Sequence, residues 1–318
     1  MSPGRTNPAR DRHLQWGAQA LWSQLEPLLP GLSIEVLARS ASTNSELLER
    51  ARIIPGALSR RAGDAPDASA RIGRRQADTQ PCLLVAEHQM AGRGRLGRGW
   101  RSTRGASLTF SLAVALAPRD WSGLSLAVGI ALAESLQGDA TGGPLRLGLK
   151  WPNDLWLVDA APLQAGTGLQ AWRKLGGVLI ETLAAGSQRL AVVGVGINIA
   201  PMHDALPTEL QERLGCLREL NAQATAPAAL ALVALPLVTA LRTFEREGFS
   251  AFTERFAALD LLRNQEIVTT DPQVPQGVAR GVNAQGGLRV QAGESMHVIS
   301  SGDVSVRPST AGLALPAR

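Results

Sequence analysis

Two lysines stand among thirty arginines in this chain, and both fall in short segments suited to chemistry. An excess of arginine with abundant alanine and glycine marks a GC-rich genome, so the pI near 10.4 is in part a mutational by-product. Lysine then persists where a slim, flexible point charge is needed and arginine's broad planar fork is no substitute. Lys150-Trp151-Pro152-Asn153-Asp154 holds a lysine and a carboxylate around a proline turn, where Asp154 can accept a proton, hold a metal ion or pair with Lys150. In Lys174-Leu175-Gly176-Gly177 the glycine pair leaves room for a flat ligand against the backbone. Gly194-Val195-Gly196-Ile197-Asn198 repeats that device, with an amide at Asn198 able to read an adenine edge.

The segment Gly92-Arg93-Gly94-Arg95-Leu96-Gly97-Arg98-Gly99-Trp100 formally matches a dinucleotide fingerprint. That motif requires a helix to start at its glycines, whereas this chain runs on into a strand. No HRD or DFG signature accompanies it, so a kinase loop is excluded, and the Walker A lysine is missing. What remains is a glycine-relaxed loop carrying Arg93, Arg95 and Arg98 beside Trp100. Such arginines grip phosphate or carboxylate oxygens, and an indole stacks on a base. The four histidines are scattered, and no G-x-S-x-G or H-E-x-x-H occurs. Cys82 and Cys216 match no metal or redox spacing and read as small buried residues.

These segments need a scaffold, and 318 residues with 45% hydrophobic and 19% charged content supply a substantial core. An amphipathic helix is expected over 11–28, and Thr43-x-x-Glu46 reads as a capping box opening a second helix. Residues 55–81 lack periodicity and read as a loop. Buried strands are expected at Cys82–Glu87, Ser107–Leu116, Leu145–Lys150, Leu155–Val158, Leu175–Glu181 and Leu190–Ile199, with a helix over Ser122–Gln137. Helices follow at 207–217, 226–247 and 250–259. Past Asp260 come five short strands separated by glycine-rich turns, the pattern of a small barrel. The expected division is 1–261 and 262–318. The most apolar run, Ala226–Leu241, is shorter than a spanning helix and interrupted by Pro236, so no membrane partner is expected. A polar N-terminus without a signal-like apolar stretch makes the cytoplasm the expected compartment.

Taken in order, the segments resemble those of the biotin protein ligases over roughly residues 33–308. The resemblance rests on Ser42-Thr43-Asn44, on Gln89 with the arginine loop, on Lys150–Asp154, on Lys174–Gly177, on Gly196-Ile197-Asn198 and on a closing Ser301-Gly302-Asp303-Val304-Ser305-Val306-Arg307. It implies an α+β fold: a mixed, mostly antiparallel sheet with packed helices, followed by a small SH3-like β-barrel. It implies activation of biotin with Mg²⁺ and ATP to biotinyl-5′-AMP, then transfer to a lysine of the biotin carboxyl carrier protein of acetyl-CoA carboxylase. Ser42, Thr43, Asn44, Gln89 and Gly92 are implied at the biotin ring system, with Gly177 beside it. Arg93, Arg95 and Arg98 belong to the loop that orders over the acyl-adenylate. Lys174 is implied at both the biotin carboxylate and the α-phosphate. Trp100, Lys150 and Asn198 are implied at the nucleotide, and Asp154 near the incoming lysine. Lys174, Arg95 and Asp154 carry the catalysis in this reading.

Thr43 is asked both to cap a helix and to bind ligand with one hydroxyl; Ser42 offers a substitute cap. Many bacterial members also carry a winged helix-turn-helix, for which the leader before Ser42 is too short, so no specific nucleic-acid partner is expected. Two other readings compete. The basic pI suits a nucleic-acid-binding regulator, yet the arginines gather in one glycine loop instead of along a helical face. A lipoyl or octanoyl transferase would share the scaffold.

Overall fold

The computed structural model describes residues 14–52, 79–137, 143–159, 172–185, 188–202, 213–300 and 306–308. Nearly all of the expected 55–81 loop lies outside the described residues, as does Ser301–Ser305 of the closing motif. The strands before residue 200 are β1 (Ser33–Leu37), β2 (Cys82–Ala86), β3 (Gly92–Arg93), β4 (Gly99–Trp100), β5 (Ser107–Ala115), β6 (Leu145–Lys150), β7 (Asp154–Asp159), β8 (Arg173–Ala185) and β9 (Gln188–Asn198). The pair β3–β4 forms a hairpin of its own, and the others make one sheet in the order β1-β2-β5-β9-β8-β7-β6. Only β1 and β2 run parallel in it. The mixed, mostly antiparallel sheet expected of the α+β fold is thus present.

The helices are α1 (Ala18–Leu25), α2 (Thr43–Arg52), α3 (Leu124–Gln137), α4 (Ala226–Glu247) and α5 (Thr253–Leu259). Strand β5 explains how they divide between the two faces. Its Leu108, Phe110, Leu112 and Val114 enter the main core shared with Ile130 of α3 and Leu230 and Leu237 of α4. Each such side chain contributes about 1.5–3 kcal/mol on leaving water. The alternate residues Ser107, Thr109 and Ser111 are just as buried but face the other way. On that second face α2 packs Leu47, Leu48 and Ala51 over Leu84, Ala113 and Val192. Being short, α2 covers one end of the face and leaves the polar, glycine-lined remainder open. That opening is where the chemistry-bearing segments meet.

Helix α4 has 22 residues and is long and apolar enough to cross a membrane by length and composition alone. It is capped by Thr225, whose hydroxyl accepts from Ala228 N, and stops at Gly248 with φ 69°. Its Leu230, Val233, Leu237, Leu241 and Phe244 are buried at helical spacing against the core, as a core helix requires.

The last five strands are β10 (Glu266–Thr269), β11 (Gln276–Val282), β12 (Leu288–Ala292), β13 (Ser295–Ile299) and β14 (Val306–Pro308). They form an antiparallel sheet in the order β13-β12-β11-β10-β14. This small sheet is fastened to the larger one. Trp151, fully buried, donates its indole N–H to Gly286 O at 3.0 Å, and Leu261 N bonds Leu149 O at 3.0 Å. Gly286 lies so close that a Cβ there would sit 2.7 Å from Gly123 Cα.

Local expectations were corrected in several places. The leading helix is confined to Ala18–Leu25, and β1 was not foreseen. No helix spans 213–217; a single 3-10 turn occupies Leu217–Glu219, and residues 203–212 lie outside the described residues. The 250–259 helix opens with a 3-10 turn over Phe249–Phe252. Helix α2 is capped one residue earlier than the capping box implied: Ser42 Oγ faces Ser45 N at 3.5 Å, and Thr43's hydroxyl points elsewhere.

Candidate active site

The open part of the second face is a cavity, and the expected residues line it: Ser42, Thr43, Asn44, Gln89, Arg93, Arg95, Arg98, Trp100, Lys150, Asp154, Lys174 and Gly177. Gly92 and Asn198 are absent from the lining. Gly92 sits at the root of the β3–β4 hairpin, where a Cβ would meet Trp100 O at 2.5 Å. Asn198 is buried behind the wall, its amide donating to Lys174 O at 3.2 Å and Gly215 O at 3.1 Å. It therefore braces the lysine strand.

One end of the cavity is a neutral hydrogen-bonded wall. Loops 40–42 and 88–91 run side by side through Met90 N to Ser40 O and Ala91 N to Ala41 O, both 2.9 Å, which brings Gln89 to the start of α2. Gln89 Oε1 accepts the Thr43 amide at 2.8 Å. Ser111 donates to Asn44 Oδ1 at 2.5 Å, which leaves Thr43 as donor in its 2.6 Å contact with Ser111. Asn44 in turn donates to Leu179 O at 3.2 Å. Thr43, Asn44 and Ser111 are almost wholly buried, and buried polar groups of this kind are costly unless satisfied.

The other end is cationic. Lys174 Nζ pairs with Asp154 Oδ1 at 2.6 Å, and Lys150 Nζ approaches Asp154 Oδ2 at 4.0 Å. Both lysines of the chain thus converge on one carboxylate. Burial pushes the Lys150 ammonium down to about 8; Asp154 opposes this, while Lys174, Arg98 and Arg307 add to it. Arg307 comes from β14, whose Val306 also lines the cavity, so the small sheet contributes to this end.

Glycines form the floor between the two ends. A Cβ on Gly194 would strike Asn44 Oδ1, and one on Gly196 would lie 2.5 Å from the Trp100 indole. A Cβ on Gly177 would lie 3.2 Å from Asp154 Oδ1 and 3.6 Å from Lys174 Nζ. Over this floor the arginine loop folds as the β3–β4 hairpin, with Gly94 N bonded to Arg98 O at 2.7 Å. The buried Trp100 indole N–H has no hydrogen-bond partner among the described residues.

Residues 73–198 match the model of the biotin/lipoate A/B protein ligase family, and 264–307 that of the biotin protein ligase C terminal domain. The bifunctional ligase/repressor BirA of Escherichia coli is 30% identical over 330 residues, covering 96% of this chain and 90% of that protein. The biotin–[acetyl-CoA-carboxylase] ligase of Mycobacterium tuberculosis is 30% identical over 293 residues, covering 91% of each. This chain belongs to the biotin protein ligase family. A solved biotin protein ligase from Aquifex aeolicus, in complex with biotin and ATP, superposes on 88% of the chain with a TM-score of 0.61 at 25% identity, covering 100% of that structure.

Sequence reasoning missed three contributors to this candidate site of the biotin protein ligase chain. Ser111 was legible in principle, since hydroxyls recur at Ser107, Thr109 and Ser111 in an otherwise apolar strand. Glu181 shares strand parity with Gly177 and Leu179 and pairs with Arg93 at 2.8 Å. Arg307 belongs to the quoted closing motif, but only the fold brings it near Lys150.

Proposed function

We propose that this chain condenses biotin with ATP to biotinyl-5′-AMP and then biotinylates the biotin carboxyl carrier protein of acetyl-CoA carboxylase. The observation that carries the reading is the polarity of the cavity. A neutral, satisfied wall suits an uncharged cyclic urea, while two lysines at the far end suit a carboxylate and a phosphate. Thr43, Asn44 and Gln89 would hold the ring system, with Ser42 capping the helix behind them. The unpartnered Trp100 indole N–H suits an acceptor on the nucleotide.

A carboxylate attacking the α-phosphate meets like-charge repulsion, which Lys174, Lys150, Arg95 and Arg98 offset before pyrophosphate leaves. On that approach Lys174 exchanges its Asp154 contact for the two substrates. Asp154 is then positioned to take a proton from the acceptor lysine as its nitrogen attacks the acyl carbon and AMP departs. Mg²⁺, when bound, would share the pyrophosphate charge. The ion would be held chiefly by the ATP phosphates, with Asp154 an acidic side chain of the lining able to face it.

The loop makes a prediction of its own. The mixed anhydride must be kept from water. Residues 92–99 are therefore expected to exchange amide hydrogens more slowly with biotinyl-adenylate than without ligand. Equal protection in both states would contradict this role.

A second prediction concerns pH. Nucleotide phosphates favour the charged form of Lys150, so binding at pH above 8 takes up a proton. ATP affinity should fall as pH rises through about 8, by at most about tenfold per unit for one proton. Calorimetry at pH 7, 8 and 9 measures it, and Lys150→Arg, which keeps its charge, should remove this limb.

We also assign residues 1–261 to the reaction and 262–318 to a β-domain that adds Arg307 to the cationic end, and we expect a cytoplasmic enzyme without operator binding. The decisive test of function is transfer. Incubated with biotin, ATP and a purified biotin carboxyl carrier protein, the enzyme should add one biotin to the carrier by mass spectrometry. Formation of the adenylate without transfer would contradict the second half of the reading.

A further inference from the structure

Glu181 does not line the cavity, yet it touches two groups that do. Its carboxylate receives Arg93 through both oxygens, at 2.8 and 3.0 Å, and Asn44 Nδ2 at 3.0 Å. Arg93 belongs to the hairpin that covers the cavity, and Asn44 to the buried wall beneath it. Glu181 thus joins lid to wall at one point. Its position along β8 shows which end this is. Gly177, Leu179 and Glu181 lie on the same side of the strand, and Glu181 is about 13 Å from Gly177, away from Lys174. Its cross-strand neighbour is Val192, part of the apolar patch under α2. The contact therefore closes the neutral end, opposite the two lysines.

We infer that Glu181 is a positioning residue, which seats the arginine loop over the neutral end of the cavity by holding Arg93. The inference rests on the biotin-ligase reading for its kinetic consequence, though not for the contact itself. It also separates the arginines by task. Arg93 is anchored at the ring end, whereas Arg98 lies close enough to Lys150 to depress its ionisation. A loop tethered at its first arginine encloses the ring end, while its last arginine stays beside Lys150. One guanidinium nitrogen that reaches both oxygens of a carboxylate gives such a tether charge-assisted bonds.

Glu181→Gln tests this, since glutamine keeps an oxygen for Asn44 but removes the charge that Arg93 meets. The variant should raise the KM for biotin by about 5- to 20-fold with kcat at saturating biotin little changed. In an Arg93→Ala background the same substitution should alter KM by no more than about twofold, because its partner is already gone. Hydrogen exchange on the ligand-free protein supplies an activity-independent readout: residues 92–99 should exchange faster in Glu181→Gln while the thermal midpoint stays put. An unchanged KM, or an equal KM shift in both backgrounds, would overturn the inference. So would a loop no looser than wild type. If the loop loosens but the wild-type protein shows no biotin-dependent activity, the tether stands and the ligase reading fails.

Discussion

Lys174→Arg is expected to lower biotin-dependent ATP–pyrophosphate exchange by about 100- to 1,000-fold, the usual cost of one misplaced group at a developing charge. The substitution keeps the charge, so electrostatics alone would leave the rate intact. Shape is the reason it does not. Lys174 Nζ lies 2.6 Å from Asp154 Oδ1 and 3.6 Å from the point where a Cβ on Gly177 would stand. A guanidinium is wider than an ammonium and would have to displace either Asp154 or the strand. Lys174 is partly exposed to the cavity, so the folded state should lose little and the thermal midpoint should move only slightly. Near-normal exchange would remove both the role of Lys174 and the argument from lysine scarcity. Loss of activity together with the melting transition would make the residue structural.

The second large effect is expected at Gly194→Ala. The added methyl would occupy the place of Asn44 Oδ1. Asn44 would have to turn away, giving up its bonds from Ser111 and to Leu179 O and Glu181 and leaving a buried amide unsatisfied, while the Ser111 hydroxyl would turn to Thr43. An unsatisfied buried group costs about 1–3 kcal/mol, equivalent to roughly 5- to 150-fold in biotin Kd. ATP should still bind, because the cationic end keeps its geometry. Titration calorimetry with each ligand separates the two. Equal losses for biotin and ATP would show that the strand, and not the wall, had been disturbed.

What the sequence made legible follows from how local each signal is. Helix α4 was read correctly at both ends because Thr225, Pro227 and Gly248 state its limits within a few residues. The motifs were legible because each packs its chemistry into four or five consecutive positions. Strand β1 was not, since Ser33–Leu37 is only half-buried and carries neither strict alternation nor a closed apolar run. The capping box failed for an instructive reason. Its threonine was recruited by Gln89 and Ser111, 46 and 68 residues away, and Ser42 took over at the helix start. The partnership of Arg93 with Glu181 spans 88 residues and leaves no local trace. Asn198 shows the opposite case, in which an amide suited to base reading turned inward to two carbonyls. Type and spacing identify candidate groups; only the fold decides which way each one faces.

What the neutral wall accepts, and what the lysine end does with it, decides the function. Purified enzyme should be given ATP, magnesium and labelled pyrophosphate, with biotin in one reaction and lipoate in another. Label should enter ATP with biotin, and none above background should enter with lipoate. Exchange driven equally by lipoate, or no exchange with biotin, would contradict the proposed function.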